Sequence, residues 1–225
     1  ASAFARKYIQ DGEAGEIYAA HCGWQRRRGI PGKGGWFTTK AQSGGGPLID
    51  LGVHVIDFVR YALGNPKPVS VYGVTFSKLG NRPNTKKESG YASADQSSED
   101  ICDVEDMATA LIRFDNGAVL NVETSFTLNV ESDRGIIELY GEKAGAKIDP
   151  ELKLFSETNG YMTDVTLRYP TALSFDGLFQ KEIDHYVDCV LGKCECRSPA
   201  EDGYELMRIL DAAYESARTG HEVAL

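Results

Sequence analysis

Between residues 104 and 148 the chain carries short apolar runs separated by glycine-bearing turns, and this succession restricts the fold more than any other feature. Residues 104–114 and 118–126 flank Asp115-Asn116-Gly117. Asn-Gly tolerates the positive φ angles of a tight turn, so the two runs predict a β-hairpin. Residues 135–140 and 146–148 flank Glu142-Lys143-Ala144-Gly145 and predict a second hairpin. Further strands are expected at 16–28, 69–79, 152–156 and 164–169. Consecutive strands joined by hairpins, with helices grouped at the ends, predict an α+β fold with a mainly antiparallel sheet. Alternating βα units are missing, which excludes a doubly wound domain.

The helices have legible limits. Residues 2–11 read as a helix closed by Gly12 as a left-handed cap. A second runs over 47–63, with Pro47 suited to its first turn and Gly64 followed by Pro66 ending it. Helices are also expected at 174–191 and from 198 to about 218, the last opening on Ser198-Pro199-Ala200-Glu201, which reads as a capping box with proline at the first helical position. Gly29 to Phe37 is a glycine-rich loop, and the polar stretch 80–100 reads as a lid or a disordered excursion. There is no internal repeat, and residues 1–225 read as a single domain.

Composition narrows the partners. The net charge of −9 disfavours nucleic acid and anionic membrane surfaces, and Arg26-Arg27-Arg28 is a short, isolated basic run. No apolar stretch approaches the roughly 20 residues of a membrane span. The five cysteines, Cys22, Cys102, Cys189, Cys194 and Cys196, are odd in number and scattered. Reduced thiols in a cytoplasmic protein are the simplest reading.

The chemistry is concentrated in Gly44-Gly45-Gly46-Pro47-Leu48-Ile49-Asp50-Leu51-Gly52-Val53-His54-Val55-Ile56-Asp57. Asp50, His54 and Asp57 are spaced i, i+4, i+7 and share one helical stripe. Leu51, Val55, Phe58, Val59 and Ala62 form the opposite, core-facing stripe. An imidazole can take or give a proton near neutral pH, and Asp50, one turn earlier, can orient it or bind a reacting hydroxyl. Two plainer readings stand beside this one. The carboxylates can serve only as local caps around a hydrogen-bonded histidine. The three residues can also be metal ligands, although one helix offers an awkward geometry for that.

Other motifs carry less. His185 lies in Glu182-Ile183-Asp184-His185, the i, i+3 pair of di-iron helices, but a second pair is missing, so a hydrogen-bonded helix residue is expected. Cys194-x-Cys196 lacks a second cysteine pair at metal spacing, and no metal site is expected. No segment satisfies the dinucleotide fingerprint, the phosphate loop or the serine elbow, so no residue is assigned to cofactor binding. His21-Cys22 should not interact, because neighbours on a strand point to opposite faces.

The glycine-rich Asp-x-x-x-His segment resembles the C-terminal domain of the Gfo/Idh/MocA oxidoreductases, the glucose–fructose oxidoreductase and inositol dehydrogenase family. Gly12-Glu13-Ala14-Gly15-Glu16-Ile17, Val104-Glu105-Asp106-Met107-Ala108-Thr109-Ala110, Phe114-Asp115-Asn116-Gly117-Ala118 and Arg197-Ser198-Pro199-Ala200-Glu201-Asp202-Gly203 extend the resemblance along nearly the whole chain. It implies an open, mainly antiparallel sheet with helices on one face, similar to the C-terminal domain of glyceraldehyde-3-phosphate dehydrogenase. It also implies a substrate domain that meets NAD or NADP across a cleft with a separate Rossmann domain. In that light His54 is the expected acid–base catalyst toward a sugar or polyol hydroxyl, and Asp50 the residue that binds and orients it. Trp36, Asp57 and Arg26 are the expected substrate contacts.

The family's Glu-Lys-Pro lysine has no counterpart here, since Pro66-Lys67-Pro68 follows the helix and begins with proline. The expectation is therefore a fragment that lacks the N-terminal nucleotide domain, is inactive alone, binds no cofactor by itself, and forms a homo-oligomer through its open sheet face. The alternatives are a non-enzymatic dimerisation or carbohydrate-binding module, or a metal-dependent lyase or hydrolase using Asp50, His54 and Asp57.

Overall fold

A computed structural model describes residues 2–82, 94, 101–149, 151–168 and 176–225. Most of the polar excursion at 80–100 lies outside these residues, as do residue 169 of the last expected strand and the start of the helix expected at 174–191.

The described residues form one nine-stranded sheet. Its strands are β1 (Ile17–Gln25), β2 (Pro68–Phe76), β3 (Met107–Phe114), β4 (Val119–Ser125), β5 (Arg134–Gly141), β6 (Ala144–Lys147), β7 (Lys153–Thr158), β8 (Tyr161–Val165) and β9 (Val223–Ala224). Their order is β8-β7-β6-β5-β1-β4-β3-β2-β9. Every described pair is antiparallel except β1 with β4, which run parallel at the centre. The α+β class and the mainly antiparallel sheet are thus as expected.

Register explains the core. Val71, Ile112, Leu120, Ala20, Leu139, Ala146 and Leu154 lie opposite one another across seven strands, and all are buried. Because side chains alternate, this row and its i+2 neighbours make one continuous apolar face. Of the helices α1 (Ser2–Gln10), the one-turn α2 (Lys40–Ser43), α3 (Val53–Ala62) and α5 (Ala200–Thr219), α1, α3 and α5 cover that face. Val55, Ile56 and Val59 of α3 and Leu206, Ile209 and Leu210 of α5 are buried there, each worth about 1.5–3 kcal/mol. Gly73 of β2 lets α5 approach closely, since a Cβ there would meet the Ala213 carbonyl oxygen at 2.5 Å. The opposite face carries no described helix and exposes Tyr72, Leu111, Tyr140 and Phe155. A further helix, α4 (Leu178–Val190), has no buried residue.

The hairpin around Asp115-Asn116-Gly117 forms as expected, with the three residues as its loop. Of the three only Gly117 has positive φ, and Phe114 and Ala118 close the loop. Several local expectations need correction. The last expected strand begins earlier, at Tyr161, because Asn159 (φ 53°) and Gly160 (φ 79°) make the tight turn themselves. The capping box at Ser198 does not form. Pro199 is the extended cap residue of α5, with no side-chain cap bond, and its carbonyl accepts the Asp202 N–H. The helix expected over 47–63 is two elements, a wide π turn at Leu48–Gly52 followed by α3.

Candidate functional site

The π turn carries Asp50, and it sits over the carboxyl ends of the parallel pair β1 and β4. At Gly52 a Cβ would lie 3.1 Å from a Leu48 methyl of the same turn and 3.5 Å, an ordinary contact, from the Thr124 methyl near the end of β4. Such widened turns often mark functional positions, since the extra residue turns a side chain out of the regular helical line.

The glycines before the turn have an internal cause. The buried Glu105 carboxylate accepts the Gly46 N–H at 2.9 Å and the Leu48 N–H at 3.2 Å. Tyr214 of α5 donates its hydroxyl to the same carboxylate at 2.7 Å. A Cβ on Gly45 would collide with the Tyr214 hydroxyl, and one on Gly46 with the Glu105 carbonyl oxygen. A side-chain anion therefore already occupies the N–H groups that a free helix N-terminus would offer to a phosphate.

Four side chains converge outside this anchor. Asp50 is half-buried and His54 is exposed on the first turn of α3. The Trp24 ring, at the end of β1, lies 6.3 Å from the His54 ring at a tilt of 55°. The Arg26 guanidinium lies 5.3 Å from the Trp24 ring and donates to the Gly29 carbonyl at 3.3 Å. Burial raises the Asp50 carboxyl above its ordinary value, and the charges of Arg26 and His54 pull it part of the way back. The result is a polar cluster with one desolvated carboxylate, one solvent-facing imidazole, one cation and one aromatic face.

Asp57 is exposed at the far end of the stripe. Partial desolvation raises its carboxyl, Arg60 opposes the rise, Asp202 adds to it and His54 opposes it. It thus faces both His54 and the start of α5. Trp36 lies on a short 3-10 turn, Trp36–Thr38, exposed and edge-on to Phe37 at 5.2 Å. Buried Thr38 ties that turn to Ile101 through a 2.8 Å hydroxyl-to-carbonyl bond. Asp50, His54 and Arg26 are therefore brought together, Asp57 flanks them, and Trp36 stands on a separately anchored turn. A hollow of about 380 Å³ on the outer strands, lined by Lys143, Phe155 and Met162 among others, includes none of these residues.

Sequence reasoning missed Trp24, Glu105 and Tyr214. The position of Trp24 at the end of a strand leading into Arg26 was a usable signal. Glu105 and Tyr214 meet Gly46 only through the tertiary fold, and no local pattern announces them.

Comparison with known proteins follows the same lines. A model of the C-terminal alpha/beta domain of the Gfo/Idh/MocA oxidoreductase family matches residues 6–225. D-Glucoside 3-dehydrogenase of Escherichia coli (strain K12) is 34% identical over 221 residues, which are 98% of this chain and 60% of that protein. The structure of levoglucosan dehydrogenase in complex with NADH superposes with a TM-score of 0.80 at 22% identity, covering 98% of this chain and 61% of that one. Aldose-aldose oxidoreductase from Caulobacter crescentus, complexed with glycerol, superposes at 0.74 with 24% identity, over 100% of this chain and 60% of that one. The chain thus spans about 60% of the length of these relatives.

Proposed function

Because the chain belongs to the Gfo/Idh/MocA oxidoreductase family, as its C-terminal alpha/beta domain, we propose that it is the hydroxyl-handling half of an NAD(P)-dependent sugar dehydrogenase. The observation that carries this reading is the placement of Asp50 and His54 one turn apart, beside Arg26 and Trp24, at the carboxyl ends of β1 and β4. The substrate class is a pyranose or polyol with a free secondary hydroxyl, in keeping with the glucoside and levoglucosan named for its relatives.

In the proposed reaction Asp50 accepts a hydrogen bond from the reacting hydroxyl or its neighbour and fixes its orientation. His54, open to solvent, takes the hydroxyl proton as the alcohol becomes a carbonyl, and returns it in the reverse direction. Acid–base help of this kind is worth roughly 10²–10⁴ in rate. The nicotinamide of NAD or NADP would take the hydride in the full-length enzyme. Arg26 holds Asp50 toward its ionised form, which is the form that accepts. Trp24 offers an apolar face beside His54 against which a sugar ring can lie, while Trp36 and Asp57 extend the contact surface.

On this reading the nucleotide is held outside the Gly46–Leu48 turn, whose two N–H groups already bind Glu105. The helix-free sheet face, with Tyr72, Leu111, Tyr140 and Phe155 exposed, serves assembly with a second copy of the chain. Among the described residues no helix is long and apolar enough to cross a membrane. The test is to express the chain with its native flanking sequence and screen pyranosides and polyols for NAD(P) reduction. Turnover that falls in His54→Ala and Asp50→Asn supports the proposal, and turnover untouched by both ends it.

A further inference from the structure

The corner between α4 and α5 gathers four metal-binding side chains that the reaction does not use. His185 and Cys189 are one helical turn apart on α4. The chain then reverses at Gly192, which has φ 70°, and Lys193 closes the corner by bonding to Asp188 through both its backbone N–H and its ammonium group. The returning segment brings Cys194 and Cys196 back over the last turn of α4. The donor atoms of His185, Cys189 and Cys196 all lie within 4.8 Å of one another. The Cys194 sulfur is 3.6 Å from that of Cys189 and 3.5 Å from His185 Nδ1, and the Cys189 sulfur is 3.9 Å from the same nitrogen and 3.5 Å from Nε2.

The separations among Cys189, Cys194 and His185 Nδ1, 3.5–3.9 Å, are close to those around one tetrahedral ion, and Cys196, which lies near His185 and Cys189, has to move toward Cys194 to complete the set. Zinc bonds of about 2.0 Å to nitrogen and 2.3 Å to sulfur, at tetrahedral angles, put neighbouring donors roughly 3.4–3.8 Å apart. Three thiolates and an imidazole are the donors that zinc prefers and that magnesium and calcium avoid. The set is closed, with no position left for water or substrate, which is the hallmark of a structural site. It also stands where a structural ion has something to hold, because α4 buries no side chain of its own and leaves Phe179, Ile183 and Val190 exposed.

We propose that His185, Cys189, Cys194 and Cys196 form a Cys3His zinc site that fastens the end of α4 to the start of α5. The bonds formed are four metal–ligand bonds, and the thiol protons leave to solvent. One existing contact has to yield. His185 Nε2 accepts the Arg197 N–H at 3.1 Å, which places the imidazole proton on Nδ1. A metal on Nδ1 moves that proton to Nε2, and the Arg197 N–H then turns to a thiolate or water. Reading the cysteines as unconnected thiols overlooked the spacing His-x3-Cys-x4-Cys-x-Cys, in which the helix supplies the first pair and the turn the second.

The test uses tag-free protein, fully reduced and stripped of metal, titrated with cobalt(II) and then zinc(II). The expected result is one equivalent of cobalt, with the visible absorption and sulfur charge-transfer bands of a tetrahedral thiolate site, displaced by zinc. Cys189→Ser and Cys196→Ser should each weaken cobalt binding more than about tenfold, with the far-ultraviolet dichroism of the sheet retained. Zinc should slow amide exchange in residues 185–197. Two results would overturn the proposal: reduced protein that shows no thiolate–cobalt bands, or bands that persist in the Cys189→Ser, Cys194→Ser double variant. In the first case, a Cys189–Cys194 disulfide formed on later oxidation by oxygen would identify the cluster as a redox pair instead.

Discussion

Tyr214 donates its hydroxyl to Glu105 at 2.7 Å, and the carboxylate it holds caps the backbone of Gly46 and Leu48. Through this contact the last long helix fixes the turn on which Asp50 rides. Burial and the Glu105 charge push the Tyr214 phenol well above its ordinary range, so it remains a donor at any accessible pH. Glu105→Ala strands two buried N–H groups and one hydroxyl, at about 1–3 kcal/mol for each group left unpaired. Tyr214→Phe removes one bond and costs about 1 kcal/mol. Urea midpoints of the two variants check the ranking, which should be Glu105→Ala well below Tyr214→Phe.

Gly46→Ala should be more damaging than its size suggests. The added methyl meets the Glu105 backbone carbonyl, which cannot rotate away as a side chain can. Overpacking of this kind costs roughly 1–3 kcal/mol. Gly203→Ala is the control, because a Cβ there meets nothing within 4 Å and its helix gains about 1 kcal/mol of propensity. Thermal unfolding should move in opposite directions for the two.

Asp50 makes the protein less stable when ionised. Its carboxyl titrates above the ordinary value in the folded state because of burial. Between the unfolded and the folded values the folded chain therefore holds more protons, and stability falls as pH rises through that window. Asp50→Asn should consequently be more stable than the parent at neutral pH, with the difference vanishing below the unfolded carboxylate's value. Arg26→Ala, which removes the largest charge opposing the shift, should raise the Asp50 titration further, as followed by carboxyl carbon chemical shifts.

Arg60 is almost wholly buried and ties α3 to α5. It donates to the Asp202 backbone carbonyl at 3.0 Å and the Pro66 carbonyl at 3.4 Å, and lies 3.9 Å from the Asp202 carboxylate. Arg60→Ala should cost about 3–5 kcal/mol, because it empties a buried site and leaves two carbonyl acceptors unpaired at about 1–3 kcal/mol each. Asp202→Ala keeps both carbonyl acceptors but leaves the buried guanidinium without its carboxylate, and should cost about 1–3 kcal/mol. Denaturant titration of the two variants distinguishes these outcomes.

The parts legible in the sequence are those with local causes. The hairpin around Gly117, the cap at Gly12, and the apolar stripe of Val55, Val59 and Ala62 each follow from neighbours within a few residues. The parallel pairing of β1 with β4 was hidden, because it joins segments about a hundred residues apart without a turn to mark them. The π turn was hidden as well, since Leu48 to Gly52 has an ordinary helical pattern and Glu105, which takes the Leu48 N–H, is distant in sequence. The Asn159-Gly160 turn, by contrast, was readable from its dipeptide and was passed over. At the site, Asp50 and His54 stood out by spacing, while Trp24 emerged only when β1 and α3 packed together.

The central claim is that Asp50 and His54 handle the proton of a sugar hydroxyl. The most direct measurement is steady-state turnover of the protein with its native flanking sequence, NAD(P) and its best pyranoside, for the parent, His54→Ala and Asp50→Asn. The account predicts a loss in kcat of roughly 10²–10⁴ for His54→Ala and a comparable loss in kcat/KM for Asp50→Asn, with both variants folded. Parental turnover in both variants would contradict it.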